Sequence, residues 1–90
     1  MNSNAFPLLL HLSPDDSEPV RDQIVRQIRE RITRGELGAG DSLPGHRRFA
    51  RQYRVAPSTV EAAYQRLVAD GFITGSPEGE VTVAVLDPVR

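Results

Sequence analysis

The stretch RRFARQYRVAPSTVEAAYQRLVADGFI, residues 47–73, decides which fold this sequence predicts. Apolar side chains recur at helical spacing on both sides of the short segment RVA, residues 54–56. The spacing predicts one helix over residues 46–53 and a second helix over residues 57–70. Two helices joined by such a tight turn are typical of a helix-turn-helix, which we place at about residues 46–65.

The second of these helices has a clear start and a clear end. Proline suits the first helical position and glycine suits the position just past the last turn, so the helix lies between Pro57 and Gly71. Its predicted core positions are Val60, Ala63, Tyr64, Leu67 and Val68. The outer face then carries Pro57, Ser58, Glu61, Ala62 and Gln65. The predicted core residues of the preceding helix and turn are Phe49, Ala50, Tyr53 and Val55.

The flanking sequence completes the predicted fold. A first helix begins near Pro19 and ends at Gly35, and its apolar stripe is Val20, Ile24, Ile28 and Ile32. Residues 36–45 contain three glycines and a proline and predict a connector. The segments at residues 72–74 and 81–85 predict a β-hairpin. The expected fold class is α+β, mainly α: a winged helix-turn-helix of three helices followed by a two-stranded β-hairpin wing, with an N-terminal arm.

Length and composition exclude several classes of protein. Ninety residues are enough for one domain with one modest core. There is no cysteine, and no apolar run approaches the length of a membrane span or a secretory signal. His11 and His46 are isolated in the sequence, which argues against a metal site, and no catalytic set is visible. We therefore expect a cytoplasmic protein that is not an enzyme and needs no cofactor.

Charge is unevenly distributed along the chain. The formal net charge is −1, and all eleven basic residues are arginines. Between Arg21 and Arg66 there are ten arginines and five carboxylates, while the remaining acidic residues lie toward the two ends. Four of these arginines fall in the helix-turn-helix: Arg47, Arg48, Arg51 and Arg54. Such a dipolar domain can present a positive face to a phosphate backbone, and arginine suits phosphate and guanine recognition.

These motifs together resemble the winged-helix domain of the GntR family of bacterial transcription regulators, from Pro19 to about Val85. The first helix has the family's proline and QI pair, and residues 35–44 match its G-x-L-x-x-G-D-x-L-P motif. The helix-turn-helix has R-x-x-A from Arg47 and V-x-x-x-T-V-x-x-A-Y-x-x-L-x-x-x-G-x-I over residues 55–73. The details around Pro57 are most similar to the small YtrA-like branch.

The resemblance implies a homodimer that binds double-stranded operator DNA. It implies that Arg47 contacts the DNA backbone or a base, that Ser58 and Thr59 contact phosphate or base edges, and that Gly79 lies at the tip of the wing. Together with the outward face of the second helix, the candidate DNA-binding residues are Arg47, Arg48, Pro57, Ser58, Thr59, Glu61, Gln65 and Gly79.

Some positions depart from the family pattern. Many members have basic residues where Pro57 and Glu61 stand, Ala56 replaces a capping serine or asparagine, and Glu78 and Glu80 make the predicted wing acidic. A carboxylate that faces the groove repels phosphate unless it accepts a hydrogen bond from cytosine. The alternative function is therefore a winged-helix module for protein–protein interaction in which DNA reading is weakened or lost.

The sequence leaves more than one interpretation open for several of these side chains. Arg47 can contact DNA or pair with a carboxylate such as Asp41, and the other arginines of the helix-turn-helix can be solvated. Ser58 and Thr59 can bind DNA or make local hydrogen bonds at the helix start. Glu61 can read a base, lie in solvent or pair with a neighbouring arginine.

We divide the chain into an arm at residues 1–18, the winged helix-turn-helix at 19–86 and a tail at 87–90. The end of the chain just after the wing is expected for either a domain of a longer protein or a short regulator without a small-molecule sensor.

Overall fold

The computed structural model describes residues 10–75 and 81–84. Its three helices are α1 (Val20–Thr33), α2 (His46–Tyr53) and α3 (Pro57–Ala69). Its three short strands are β1 (Ser42–Leu43), β2 (Ile73–Gly75) and β3 (Val81–Val83). Three helices with a small antiparallel sheet confirm the predicted mainly α winged helix-turn-helix. The domain limits at residues 18, 19, 86 and 87 stay a prediction.

The first helix follows the predicted apolar stripe. Ile24 and Ile28 have no exposed surface and Ile32 is also buried, so the four-residue repeat faces the core, as expected. The helix starts after Pro19 and ends in a turn in which Gly35 has φ +83°. A glycine reaches this left-handed region without the steric cost that other residues meet.

The sheet contains one strand more than the predicted hairpin. Its order is β1–β3–β2, and both pairs are antiparallel. The connector therefore contributes β1, whose Ser42 and Leu43 lie opposite Thr82 and Val81. This strand could not be predicted from the sequence because a segment of two residues is too short to show an alternating pattern. Its pairing also depends on a partner strand far along the chain.

The core lies between the helices and the sheet. Both α1 and α2 pack extensively on α3, and β2 also contacts α3. Phe49 and Tyr64 are fully buried and meet edge to face, with ring centroids 5.9 Å apart. Val68 was predicted in the core, but this prediction is wrong, because its side chain is 38% exposed. At 100° per residue Val68 lies about 40° beyond Tyr64 on the helix circumference, past the edge of the buried stripe.

A short segment before α1 is also held against the helices. We call residues 10–13 the strap. Leu10 is buried and Leu12 packs against the core. The strap lies within the predicted N-terminal arm, and residues 1–9 lie outside the described part of the chain.

Candidate nucleic-acid interface

The burial pattern of α2 turns its arginines toward solvent. Phe49 and Ala50 anchor the helix in the core. Arg47, Arg48 and Arg51 are exposed, and at 100° per residue they share an arc of about 100° on the opposite side. The helix therefore presents three guanidinium groups on one face.

The turn after α2 adds a fourth arginine through an unusual backbone conformation. Arg54 has φ 58° and ψ 46°, the left-handed region, and it is the one described non-glycine residue with positive φ. The amides of Arg54 and Val55 both donate to the carbonyl of Ala50, which closes the end of the helix. This bend redirects the chain into α3 within two residues, and the side chain of Arg54 stays exposed.

The outer face of α3 agrees with the predicted one, with two differences in degree. Pro57, Ser58 and Gln65 are exposed, while Glu61 and Ala62 are half-buried, as is the neighbouring Thr59. Four core positions of α3 were predicted correctly, and they fix this orientation: Val60, Ala63, Tyr64 and Leu67.

The first turn of α3 leaves polar groups available. Ala56 caps the helix without a side-chain hydrogen bond, as its apolar side chain requires. Within residues 10–75 and 81–84, no hydrogen bond occupies the hydroxyl of Ser58 or Thr59 or the amide of Ser58. The alternative interpretation, in which these hydroxyls make local hydrogen bonds at the helix start, is therefore not seen in the described part of the chain. The free amide of Ser58 and the helix dipole attract an anion to the start of α3.

Ion pairs distinguish most arginines in and just after α1 from those of α2. Arg21, Arg26, Arg31 and Arg34 each lie within 4 Å of a carboxylate, as does Arg66 near the end of α3. The strongest contact joins Arg26 to Glu18 at 2.9 Å, and this hydrogen bond and the charge of Glu18 raise the pKa of Arg26. No such pair among the described residues involves Arg47, Arg48, Arg51 or Arg54.

The proposed intramolecular partner of Arg47 is engaged elsewhere. The carboxylate of Asp41 accepts a hydrogen bond of 2.8 Å from the amide of Gly38 and so closes the connector loop. The described residues therefore offer no pair between Arg47 and Asp41. Glu61 likewise forms no ion pair with any arginine among the described residues. Most of the arginine charge without an ion pair in the described chain thus lies on α2 and the turn, with Arg29 of α1 as the exception.

A hydrogen bond from a buried side chain joins α3 to the segment that leads into α2. The hydroxyl of Tyr64 on α3 donates to the carbonyl of Pro44, two residues before α2, at 2.7 Å. Burial raises the pKa of Tyr64 above its usual value, since the phenolate would lose its hydration. Arg47, Ser58 and Thr59 therefore sit on elements joined through one rigid core.

Of two further residues considered in the sequence, Gly79 and His46, the structure describes only His46. Gly79, with Glu78 and Glu80, lies outside the described residues, so its place at the wing tip stays a prediction. His46 is buried at the start of α2, and the described residues contain no cluster of side chains suited to a metal ion. None of the described helices is long and apolar enough to span a membrane.

Sequence reasoning missed a pair of glutamines that support this region. Gln23 and Gln27 on α1 bind the backbone of the strap, and the hydroxyl of Tyr53 accepts a hydrogen bond from Leu10 at 3.2 Å. The signal available in the sequence was the four-residue spacing of two glutamines on a helix whose other face is apolar. Gln23 is only 2% exposed, which a polarity pattern does not predict.

Comparison with known proteins places these features in context. The model of the family described as bacterial regulatory proteins, gntR family, matches residues 20–83. The HTH-type transcriptional repressor YtrA of Bacillus subtilis (strain 168) is 34% identical over 65 residues, which make up 72% of this chain and 50% of that protein. This chain spans half or less of the length of the curated relatives that it matches most clearly.

Solved structures show the same architecture. YtrA from Sulfolobus acidocaldarius, a GntR-family transcription factor, superimposes with a TM-score of 0.75 and 35% identity over 86% of this chain and 82% of that chain. AraR(DBD), crystallised in complex with operator ORX1, gives a TM-score of 0.69 over 83% of this chain and 93% of that chain. Its identity is 23%, so this second likeness concerns the fold alone.

Proposed function

The chain belongs to the gntR family of bacterial regulatory proteins, which are transcription regulators and not enzymes, and on that premise we propose that it binds operator DNA and represses transcription. In this proposal α3 enters the major groove and its first turn approaches the base edges. The arginines of α2 and the turn bind phosphates on either side of that groove. Because the target is chromosomal DNA, we expect the protein in the cytoplasm.

One observation carries the proposal: four of the five arginines in residues 10–75 and 81–84 for which no ion pair with a carboxylate is found lie on α2 and the turn that leads into α3. Arg47, Arg48, Arg51 and Arg54 are all exposed, while the arginines of α1 with ion pairs have part of their charge neutralised. The free amide of Ser58 and the hydroxyls of Ser58 and Thr59 add to the attraction for a phosphate oxygen. This distribution supports DNA binding in spite of the net charge of −1.

We assign separate roles to the candidate residues. Arg47 and Arg48 neutralise phosphates, and the amide and hydroxyl of Ser58 with the hydroxyl of Thr59 fix the register of α3. Gln65 lies two helical turns beyond Ser58 on the same face of α3 and reads base edges, since an amide side chain can pair with adenine.

The two unusual residues of α3 have weaker roles. Pro57 starts the helix and contacts the DNA backbone through its ring. Glu61 either lowers the affinity for DNA at the edge of the groove or accepts a hydrogen bond from cytosine. Gly79 lets the wing approach the minor groove.

The regulator is proposed to act as a homodimer on a palindromic site. One helix-turn-helix contacts only a few base pairs, so two copies are needed for operator selectivity. A measured stoichiometry of two chains per selected duplex supports this arrangement, and one chain per duplex with full affinity contradicts it.

A salt titration tests the proposed function. A duplex is first selected from a random-sequence pool with the purified chain, and its dissociation constant is measured by fluorescence anisotropy from about 50 to 200 mM salt. Phosphate binding makes the affinity fall steeply with the logarithm of salt concentration. Arg47→Ala is expected to weaken binding and reduce the slope by about one.

The matched control is Arg21→Ala, which removes an exposed arginine of α1 that pairs with Asp22 at 3.1 Å. Its slope should equal that of the wild type. If the wild-type chain binds no duplex at about 50 mM salt, the proposal fails and the alternative of a protein–protein module is favoured.

A further inference from the structure

Two glutamines one helical turn apart hold the strap like a neighbouring β-strand. The amide of His11 donates to Oε1 of Gln27 at 2.9 Å, and Nε2 of Gln27 donates back to the carbonyl of His11 at 2.7 Å. Gln23 makes the same pair of bonds with Ser13, both at 2.8 Å, and also donates to the carbonyl of Glu18 at 2.7 Å. Each side-chain amide thus replaces a backbone amide of a strand.

The geometry of helix and strand explains why this pairing works. Four residues of α-helix advance about 6 Å, and two residues of extended chain advance about 6.6 Å. Glutamines at positions 23 and 27 therefore match backbone groups at positions 13 and 11. The pairing depends on the backbone of the strap and not on its side chains.

The far end of the strap reaches the helix-turn-helix. The amide of Leu10 donates to the hydroxyl of Tyr53, the last residue of α2, whose ring lies 4.7 Å from that of Phe49. Leu12 lines a groove of about 270 Å³ together with Val55 and Thr59. The strap therefore runs from the outer side of α1 to the turn that carries Arg54.

The strap connects two helices, α1 and α2, that each pack mainly on α3. The extensive helix contacts are those of α1 with α3 and of α2 with α3. The strap is a direct tie between α1 and the end of α2, next to the one described non-glycine residue in a left-handed conformation. That turn sets the position of the α2 arginines relative to the start of α3.

We infer that Gln27 and Gln23 are positioning residues for DNA binding, which act through the strap and Tyr53 on the turn at Arg54. This inference rests on the proposed function. Releasing the strap leaves every proposed phosphate contact in place but reduces the fraction of molecules with the binding geometry. The apparent dissociation constant rises in inverse proportion to that fraction.

The test uses the full chain, the duplex selected for the wild type, and the variant Gln27→Leu. Gln27 is half-buried, so the substitution is better tolerated than one at Gln23. We expect the affinity to fall about tenfold, equivalent to about 1.4 kcal/mol, with the salt slope unchanged. Amide resonances of Arg54 and Val55 should shift in the free protein, and the amide of His11 should exchange faster with solvent.

The matched control is His11→Ala, because the bonds to Gln27 use the backbone of His11. Wild-type affinity and unchanged Arg54 and Val55 resonances are expected for this variant. All measurements are made well below the melting temperature of each variant, so that loss of folded protein does not mimic loss of affinity.

The outcomes separate the inference from the proposed function. If the wild type binds DNA and Gln27→Leu binds equally well, or if the turn resonances do not move, the inference is wrong and the function stands. A reduced salt slope in Gln27→Leu also overturns it, since a phosphate contact would then have been lost. If the wild type binds no duplex, the proposed function and the inference are both wrong.

Discussion

Replacing Gln23 by methionine should destabilise the domain substantially, although methionine has nearly the same length and shape. The side chain of Gln23 is 2% exposed and makes three hydrogen bonds, to the amide and carbonyl of Ser13 and to the carbonyl of Glu18. Each such bond contributes about 1 kcal/mol net, so their loss costs about 3 kcal/mol. Burial of the apolar methionine side chain offsets part of this, and water can reach Ser13.

The expected net loss is about 2 kcal/mol out of a total of roughly 5–15 kcal/mol for a small domain. For a chain of this size that lowers the melting temperature by about 8–16 °C. The assay is urea unfolding followed by far-ultraviolet circular dichroism, with the midpoint and the slope fitted separately. An unchanged slope with a lower midpoint shows that stability, and not the compactness of the unfolded state, has changed.

The control is Gln52→Met, which makes the same chemical change at an exposed position of α2. Its unfolding free energy should lie within about 0.5 kcal/mol of the wild type. If Gln23→Met is as stable as Gln52→Met, the three hydrogen bonds contribute nothing net and the strap is not held in solution as described.

Two further perturbations test the core and the groove face. Tyr64→Phe should change how the free energy of unfolding depends on pH. Burial raises the pKa of Tyr64 in the folded protein, so Tyr64 contributes fully to stability below about pH 10, the pKa of an unperturbed tyrosine. As the pH rises beyond that value, the free energy of unfolding of the wild type should fall by about 1.4 kcal/mol per pH unit. Urea unfolding at pH 9 to 11 should therefore show a smaller alkaline loss for the variant, and parallel curves would show that Tyr64 does not stay neutral when folded. Glu61→Arg, on the half-buried edge of the α3 outer face, should strengthen binding to most duplexes and steepen the salt slope by about one, and weaker binding to the selected duplex alone would show that Glu61 reads a base.

The helix-turn-helix was predictable because its signals are local. Pro57, Gly71 and the apolar spacing of α3 each act within one or two helical turns, and together they fix both helix limits and the outward position of Ser58. Because burial at Phe49 and Ala50 determines the opposite face of α2, the exposure of Arg47 also follows from the sequence.

The features that were missed depend on contacts distant in sequence. Strand β1 is paired with β3, which returns beside it, and the buried Gln23 binds the backbone of the strap. Arg54 occupies a left-handed conformation that the sequence would assign to glycine, and tertiary packing sets it. Val68 shows the limit of periodicity, since the width of the buried stripe depends on what covers the helix.

The most direct test of the account is a map of amide and side-chain resonances during titration with the selected duplex. If DNA binds to the helix-turn-helix as proposed, the largest changes fall together on α2, the turn and the first turn of α3, at Arg47, Arg54, Ser58 and Thr59. Changes confined to the ion-paired face of α1, with these four residues unmoved, would contradict it.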